Sequence, residues 1–485
     1  MSDSSQINIP NSIALSSDIM YTLKPSAPRS RAYRLSVAPL NKNTFIAGDQ
    51  CIIEIPTGRK NTFYDPSQSY LKFTVQCATN VASAANTPGS TGVYIENTAY
   101  SFWQRLDVYN SSNLLETINE YGQLANTLID TSLTQSDKAG LSSLIGCNNL
   151  TSVISAAAGN ASTILQTPGD RSGLQLATNT SVVLSNPYTF CLPVLSGVIG
   201  MNASKMIPLG SLSSPIRTEW YLSNNDDAIY YGTAGAGANW QISNVELECC
   251  FVEILDDINV NEGTQYISTT TYRNASTYLP NATAGEFSCL VPFRAASITG
   301  LYARFRPFVS SVQGADATAA YRKSASVNPN FNQAYFRVGS SIIPQKPIYI
   351  LQNNGTASEA YAELLKSFHA LSSSIGNSAI THDMYNVNAT AIGAMPLYYI
   401  PQTQATNKGT HNNSFMLGIE CQSFSNRNDT ILSGLSTLNS QIYFTGVISS
   451  GRTVGGTNNL NYTIDFFSSM DMILVIENGV MSAKF

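Results

Sequence analysis

The sequence is poor in charged residues. Asp, Glu, Lys and Arg together make up 12% of its 485 residues, about half of the ~25% that is usual in soluble domains. Disordered chains are rich in charge and poor in aromatic residues, whereas this chain has 25 Tyr and 19 Phe. The net charge of −5 provides no overall basic surface for nucleic acid. We therefore expect a folded, β-rich protein with polar loops.

The motifs of several common site classes are missing as well. The eight cysteines include no Cys-x-x-Cys pair, which argues against zinc-ribbon and redox motifs and favours reduced, buried thiols. The three histidines are His369, His382 and His411, and none belongs to a His-Glu-x-x-His zinc motif. Phosphate-loop and nucleophile-elbow patterns are also absent. We predict no catalytic, cofactor-binding or metal-binding residues and no enzyme activity.

Targeting signals are not visible either. The first residues, Met-Ser-Asp-Ser-Ser-Gln, form neither the basic nor the apolar region of a signal peptide. The sequence contains no run of 18 apolar residues, so we expect no transmembrane helix. Without a secretory signal, the Asn-x-Ser/Thr triplets at Asn160, Asn281, Asn388 and Asn461 are interpreted as chance products of an Asn- and Thr-rich composition.

Positive charge is concentrated near the N-terminus. Residues 1–60 hold four acidic and seven basic residues, the latter being Lys24, Arg29, Arg31, Arg34, Lys42, Arg59 and Lys60. Residues 1–40 show no hydrophobic period and are interrupted by Pro25, Pro28 and Pro39, which indicates an extended arm. This arm is either a solvated tail or a segment that contacts an anionic surface or a neighbouring subunit.

Alternation of apolar and polar residues dominates the rest of the chain. Leu71, Phe73, Val75 and Cys77 share one phase and predict a half-buried strand. Further strands are predicted at 51–55, 102–109, 188–194, 205–209, 216–222, 241–255, 301–306, 334–343, 347–350, 415–421, 441–448, 462–467, 473–476 and 480–485. Asn478-Gly479 between two apolar runs is a strong hairpin signal.

Two helix signals divide the chain into similar halves. Thr117-Ile-Asn-Glu120 and Thr356-Ala-Ser-Glu359 fit capping boxes, and helical apolar spacing follows each of them. The two motifs are about half the chain apart, and strands precede and follow each helix. We interpret this order as an internal structural repeat, with the alternative of coincidence. Residues 256–284 break the strand pattern, so we place the junction between two tandem β-sandwiches there.

A few residues are weak candidates for chemistry. Glu246 and Glu248 are one strand repeat apart, roughly 7 Å on the same face, rather than opposed across a cleft as in a glycosidase. Asn224–Asp227 is interpreted as a turn rather than a calcium site. The Gly-rich run 232–237 precedes a strand rather than the helix that phosphate binding needs, so it is interpreted as a flexible loop. His369 is expected inside the second helix, beside Phe368, as a core-edge or surface histidine. Arg304, Arg306 and Arg337 are candidate base-stacking residues, with interstrand or intersubunit partners as the alternative.

The segments Asn61–Pro66, Tyr335–Pro347 and Asp471–Val480, with the duplicated strand and helix order, resemble the double jelly-roll major capsid proteins of dsDNA viruses. The nearest match is the polinton-like virus and virophage group, and the resemblance covers nearly all of the chain beyond residue 40. It implies an all-β fold with a few short helices, built from two tandem eight-stranded antiparallel jelly rolls. The implied divisions are an arm (1–40), a first jelly roll (41–256), a linker (257–284) and a second jelly roll (285–485).

The same resemblance implies a function and partners. The chain would be a major capsid protein that forms a homotrimeric, pseudo-hexagonal capsomer, without cofactors, in an icosahedral shell around dsDNA. It would be made in the host cytoplasm and reside in the virion. Its partners would be neighbouring capsomers and penton and minor capsid proteins, with an internal membrane, a minor protein or DNA as contacts of the arm. We expect deletion of residues 1–40 to leave a folded trimer that assembles poorly.

Two other functions compete with this one. The aromatic residues around Trp220–Tyr231 suggest a viral attachment or carbohydrate-binding β-sandwich. A glycoside hydrolase is the second alternative, and the pair Glu246 and Glu248 is the only sequence feature that suggests it.

Overall fold

The structure is a computed structural model. It describes residues 27–79, 92–147, 154–157, 161–164, 172–178, 187–231, 238–255, 263–280, 285–308, 326, 328–329, 331–350, 357–369, 371, 378, 380, 385, 414–423, 431–448 and 461–485. The strands before residue 256 are β1 (Ser30–Val37), β2 (Thr44–Ile46), β3 (Gln50–Ile55), β4 (Thr62–Thr79), β5 (Gly92–Glu96), β6 (Trp103–Asn110), β7 (Asn113–Asn119), β8 (Ile154–Ala157), β9 (Ala161–Ile164), β10 (Ser172–Thr178), β11 (Tyr188–Pro193), β12 (Ile207–Pro208), β13 (Ile216–Leu222), β14 (Ile229–Tyr231) and β15 (Ala238–Ile254).

The later strands are β16 (Gln265–Leu279), β17 (Gly285–Val291), β18 (Ile298–Phe308), β19 (Phe331–Val338), β20 (Ser341–Tyr349), β21 (Met416–Glu420), β22 (Ile442–Ile448), β23 (Asn461–Glu477) and β24 (Val480–Lys484). The helices are α1 (Tyr121–Ser132), α2 (Gln135–Gly140), α3 (Ser142–Ile145), α4 (Asn225–Ala228) and α5 (Ser358–Ser367), with 3-10 turns at Ala99–Phe102 and Leu209–Ser211.

The first sandwich is a jelly roll. Its two main sheets have the strand orders β1-β15-β4-β11 and β3-β13-β6-β7, and every pairing is antiparallel. Among these eight strands, counted along the chain, the first pairs with the eighth and the second with the seventh, which is jelly-roll order. The sheets meet through large apolar side chains, because the rings of Phe73 on β4 and Trp103 on β6 lie 5.3 Å apart.

The second sandwich repeats this arrangement. Its sheets are β16-β23-β18-β21 and β17-β22-β19-β20, with β24 added beside β23. Aromatic rings again join the two layers, since Phe305 on β18 lies 5.7 Å from Phe444 on β22. The prediction of an all-β chain with two tandem eight-stranded jelly rolls is confirmed.

Alternation located the buried strand faces correctly. Leu71, Phe73, Val75 and Cys77 are all at most 1% exposed, as the two-residue period requires. The hairpin predicted at Asn478-Gly479 also forms, between β23 and β24. Both turn residues have positive φ, 52° and 81°, which is the type I′ geometry that favours Asn followed by Gly.

The two predicted helices exist, but their predicted caps are wrong. Thr117 lies inside β7, paired with Asp107 of β6, and α1 starts after Glu120, which has a left-handed φ of 50°. The second helix, α5, is preceded by Ala357 rather than capped by Thr356, which lies outside the described residues. A capping box does form at α2, between Thr134 and Asp137. Ladder pairing of β7 prevailed over the local capping pattern.

Several strands were not predicted from the sequence, including four of the main sheets: β1, β7, β16 and β17. β1 lies within the supposed arm and pairs with β15 over eight positions. β16 lies within the supposed linker and pairs with β23 over fifteen positions, Gln265 to Leu279. Deletion of residues 1–40 would remove a sheet strand, so we now expect it to destabilise the fold. The domain boundaries themselves stay a prediction.

Two short connections lie at one end of each sandwich. Residues 56–61 and 111–112 form short connections at one end of the first sandwich, and residues 292–297 and 339–340 do so in the second. In an antiparallel jelly roll the connections after the third and fifth strands leave from the opposite end. These are the long connections of each sandwich, and their described parts include β5 and α1 in the first sandwich and α5 in the second.

Candidate functional surfaces

The two sandwiches share a buried polar junction. Glu116 on β7 is 1% exposed, and its carboxylate accepts a hydrogen bond from Thr271 of β16 (2.6 Å). It also accepts from the backbone N–H of Gly197 (3.0 Å) and from the Ser196 hydroxyl. Burial raises the pKa of the Glu116 carboxyl, while these donors act in the opposite direction. Both sandwiches therefore contribute donors to one desolvated acid.

Backbone contacts fix the relative orientation of the sandwiches at the end where short turns occur. Ser213 N donates to Gly479 O at 2.8 Å, which joins the connection before β13 to the β23–β24 hairpin. Met481 N donates to Asn110 Oδ1 at 2.8 Å, and Asn113 Nδ2 donates to Met481 O at 3.2 Å. Because all these groups lie at the short-turn ends, the two jelly rolls lie side by side with their short-turn ends on the same side of the molecule.

A second contact lies nearer the long-connection end. Arg304 of β18 is 3% exposed, and its Nη1 donates to Gln123 Oε1 of α1 at 2.9 Å. Two residues before Arg304, on the same face of β18, Tyr302 stacks on Phe368 with 4.7 Å between the ring centroids. The outer face of this second-sandwich sheet is thus covered by a helix from the first sandwich and by the end of α5. Arg304 is a junction residue and is not exposed for base stacking.

The candidate acids Glu246 and Glu248 belong to an ion-paired ladder on the outer face of the first sandwich. Lys72 of β4 bonds Glu246 at 2.8 Å. Arg34 and Ser36 of β1 bond Glu248 at 3.1 and 2.8 Å. Each carboxylate already has a cationic partner on an adjacent strand, and the two acids share one sheet face rather than opposite walls of a cleft. This arrangement supports cross-strand stabilisation rather than acid–base catalysis.

The same ladder accounts for part of the N-terminal basic cluster. Arg34 pairs with Glu248, Arg31 pairs with Glu253 at 2.8 Å, and Lys42 pairs with Asp49 at 2.8 Å. Arg59 donates to the hydroxyl of Tyr33 at 2.8 Å. These charges are satisfied within the chain, so they are poor candidates for contact with an external anion.

The outer faces of the sheets β3-β13-β6-β7 and β17-β22-β19-β20 differ in chemistry. In the first sandwich this face holds charge networks, with Arg217 2.5 Å from Glu219 and Arg105 2.7 Å from Asp107. The equivalent face of the second sandwich is partly apolar. One row across its four strands consists of Leu290, Tyr443, Arg337 and Ile342. There the Arg337 guanidinium lies 5.0 Å from the Tyr443 ring centroid, an intramolecular cation–π contact rather than a base-stacking platform.

The remaining candidates do not form a site. Trp220 is 1% exposed and packs on Trp103 at 5.5 Å, so it cannot form a glycan platform. Asn225–Ala228 forms α4 rather than the plain turn that we expected. His369 follows α5 rather than lying inside it, because it has a left-handed φ of 57°. Its Nδ1 lies 3.8 Å from Glu420 Oε1. His382, His411 and the Gly-rich run 232–237 lie outside the described residues.

Three further properties of the described residues concern metal ligands, membrane-spanning helices and thiol reactivity. Within the described part of the chain, no group of three or more His, Cys, Asp or Glu is placed to hold a metal ion. Among the same residues, none of the helices has both the length and the apolar composition needed to cross a membrane. All eight cysteines are free thiols, and burial raises the pKa of Cys77, Cys147 and Cys249 to about 12, which suppresses thiolate reactivity.

The fold matches solved viral capsid proteins. The mavirus major capsid protein has 10% identity and a TM-score of 0.56, with 100% of this chain and 95% of that chain covered. The Sputnik virophage structure has 13% identity and a TM-score of 0.58, covering 97% of this chain and 91% of that chain. The Faustovirus major capsid protein has 9% identity and a TM-score of 0.54, with coverages of 95% and 92%.

The chain therefore has the fold of the double jelly-roll major capsid proteins. Among the structures it resembles, mavirus and the Sputnik virophage represent the type to which the sequence resemblance pointed. At these identities the likeness defines the fold. No protein-family model and no curated protein matches the sequence.

Proposed function

We propose that this protein is a major capsid protein whose homotrimer forms a pseudo-hexagonal capsomer. The observation that supports this most directly is that one chain contains two complete jelly rolls with the same end up. Three such chains around an axis would present six similar sandwiches, which matches the geometry of a hexagonal tile. The structural likeness to major capsid proteins supports the same role.

In this proposal the capsomers tile an icosahedral shell that encloses dsDNA. The partners are neighbouring capsomers and penton and minor capsid proteins, and the site of action is the virion. The arm, if it contacts an internal membrane, a minor protein or DNA, does so without Arg31 and Arg34, which are already paired. The protein acts as a structural subunit rather than an enzyme, in agreement with the ion pairing of Glu246 and Glu248.

We also propose a division of the chain that follows the strands. The first jelly roll begins at or before Ser30 and ends near Ile254, and the second begins near Gln265. Limited proteolysis tests this division, because cleavage within residues 256–262 would separate two resistant fragments. Early cleavage within Gln265–Leu279 would contradict it.

Light scattering after size exclusion tests the trimer. The expected mass is about three times the 52.2 kDa of one chain. Negative-stain microscopy of the same fraction should show particles with a hexagonal outline. A stable monomer under all solution conditions would refute the capsomer assignment.

A further inference from the structure

A closed triad of polar side chains lies near the long-connection end of the first sandwich. Lys138 of α2 donates from Nζ to Asp130 Oδ1 of α1 at 2.7 Å and to Asn97 Oδ1 at 2.6 Å. The Asn97 Nδ2 group in turn donates to Asp130 Oδ2 at 3.1 Å. The amine, the carboxamide and the carboxylate are therefore in mutual contact.

The triad is largely shielded from water. Asn97 is 0% exposed, and the side chains of Lys138 and Asp130 are 12% and 5% exposed. Its surroundings include the fully buried Cys147, whose thiol interacts electrostatically with both charged groups. A lysine is rarely buried to this extent, and a simple salt bridge would not require a buried carboxamide in contact with the ammonium.

Each member of the triad is held by its own backbone element. Asn97 has a left-handed φ of 67° immediately after β5. A side-chain-bearing residue keeps this backbone conformation only where the surrounding structure holds it in place. α2 is fixed by the capping box of Thr134 and Asp137. α1 is anchored to the turn after β5 by Asn126, whose Nδ2 donates to Ser101 Oγ at 2.8 Å and whose Oδ1 accepts from the Thr98 hydroxyl. Prepositioning of this kind raises the effective concentration of two reacting groups by orders of magnitude.

We propose that Lys138 and Asn97 form an intramolecular isopeptide bond, with Asp130 as the proton-transfer group. The Lys138 ammonium passes a proton to the Asp130 carboxylate along their hydrogen bond, which yields a neutral amine in the low-dielectric site. The amine attacks Cγ of Asn97, the carbon bonded to the Oδ1 that Nζ already contacts. A bond forms between Nζ and Cγ.

The second half of the reaction expels the amide nitrogen. Asp130 returns its proton to Nδ2, to which it is already hydrogen-bonded, and the Cγ–Nδ2 bond breaks. The second proton of the attacking nitrogen also leaves with Nδ2, so that ammonium is released and Asp130 is a carboxylate again. The reaction consumes no oxidant, reductant or external cofactor. Its product is a secondary amide that joins residue 97 to residue 138.

The bond would join two connections of the jelly roll. Asn97 precedes the fourth main strand, β6, whereas Lys138 follows the fifth, β7. A covalent link between them constrains the unfolded chain as a disulfide does. All eight cysteines are free, so this cross-link would provide covalent stability that is independent of redox conditions. The inference does not depend on the capsid function.

Mass spectrometry of the full-length protein tests the bond. The denatured chain should be lighter than its sequence mass by about 17 Da, the mass of ammonia lost on amide exchange. Trypsin cuts after Lys72, Arg105 and Arg171 but should not cut after Lys138. Residues 73–105 and 106–171 should therefore appear as one branched peptide.

Matched variants give the controls. Lys138→Arg keeps the positive charge, and Asp130→Asn keeps the shape, so both should restore the full sequence mass and separate tryptic peptides. Lys72→Arg alters a lysine that pairs with a carboxylate without a buried amide partner, and it should leave the mass loss intact. Circular dichroism of each variant reports whether it folds. If the folded wild type has its full sequence mass, with Asn97 unmodified and cleavage after Lys138, the proposal is wrong.

Discussion

The Thr271 hydroxyl donates a 2.6 Å hydrogen bond to Glu116 across the junction of the two jelly rolls. The two residues belong to β16 and β7 and are 155 positions apart in the chain. The close approach of Gly197 supports this contact, because a Cβ at that position would lie 2.7 Å from the carbonyl oxygen of Thr270. The junction therefore combines close backbone packing with one buried acid, and this combination specifies how the two sandwiches fit together.

Replacement of Glu116 by Ala should destabilise the protein by about 3 kcal/mol, since buried donors lose their acceptor. The hydroxyls of Ser196 and Thr271 and the N–H of Gly197 would all be affected. Urea unfolding of the purified protein measures the change. The exposed Glu286 on β17 provides the matched control, and Glu286→Ala should change stability by less than about 0.5 kcal/mol. Equal effects of the two variants would show that the junction acid contributes nothing specific.

The charge of Glu116 should also make stability depend on pH. Burial raises the pKa of its carboxyl above the ordinary value of 4.5, so the folded chain binds this proton more tightly than the unfolded chain. Its favourable contribution is complete below pH 4.5 and is lost as the pH rises through the raised native pKa. The free energy of unfolding of the wild type, minus that of Glu116→Gln, should therefore fall with rising pH and then level off. A difference that rises, or that does not change, would contradict this assignment.

The ion pairs on the outer face of the first sandwich should contribute unequally to stability. Arg34→Met removes the nearer cation of Glu248, whose side chain is 3% exposed, and should cost about 1–3 kcal/mol because only Lys72, 3.9 Å away, then balances a nearly buried carboxylate. Arg31→Met removes the partner of the more exposed Glu253 and should cost at most about 0.5 kcal/mol. Chemical denaturation of both variants measures the difference. The reverse order would show that burial does not determine the strength of these pairs.

Truncation should distinguish the N-terminal residues from β1. Removal of residues 2–26 leaves β1 in place and should preserve the melting temperature. Removal of residues 1–40 also removes β1, including Tyr33, whose ring packs 5.7 Å from that of Phe251, and leaves the edge of β15 unpaired. This longer deletion should lower the melting temperature or cause aggregation. Differential scanning fluorimetry of the two truncations tests the prediction, which fails if the 1–40 deletion melts like the wild type.

Phe444 should be the most sensitive apolar position of the second core. Its ring packs against five others, those of Phe287, Phe305, Phe331, Phe336 and Phe466. Phe444→Ala should destabilise the protein by about 3–5 kcal/mol through lost contacts and a cavity. Phe444→Leu, which fills most of that volume, should cost clearly less in the same unfolding assay. Similar losses for Ala and Leu would argue against a cavity effect.

The sequence by itself determined the strand periods and the hairpin. Leu71, Phe73, Val75 and Cys77 could be assigned to one buried face because side chains alternate along any strand. Asn478-Gly479 could be assigned to a turn because few residue pairs adopt two positive φ angles. The order of strands and helices in each half was sufficient to suggest a duplicated jelly roll.

Only the tertiary structure decided where pairing outweighs local preference. β1 and β16 lack a clear apolar period, since β1 is largely exposed and β16 contacts the other sandwich with Thr269 and Thr271. Thr117 fits a helix cap locally but lies in β7, because its backbone is paired with β6. The junction around Glu116 joins residues up to 155 positions apart, and the triad joins Asn97 to Asp130 and Lys138, which lie 33 and 41 positions further along the chain. Their proximity depends on the packing of the whole fold, and no local sequence pattern records it.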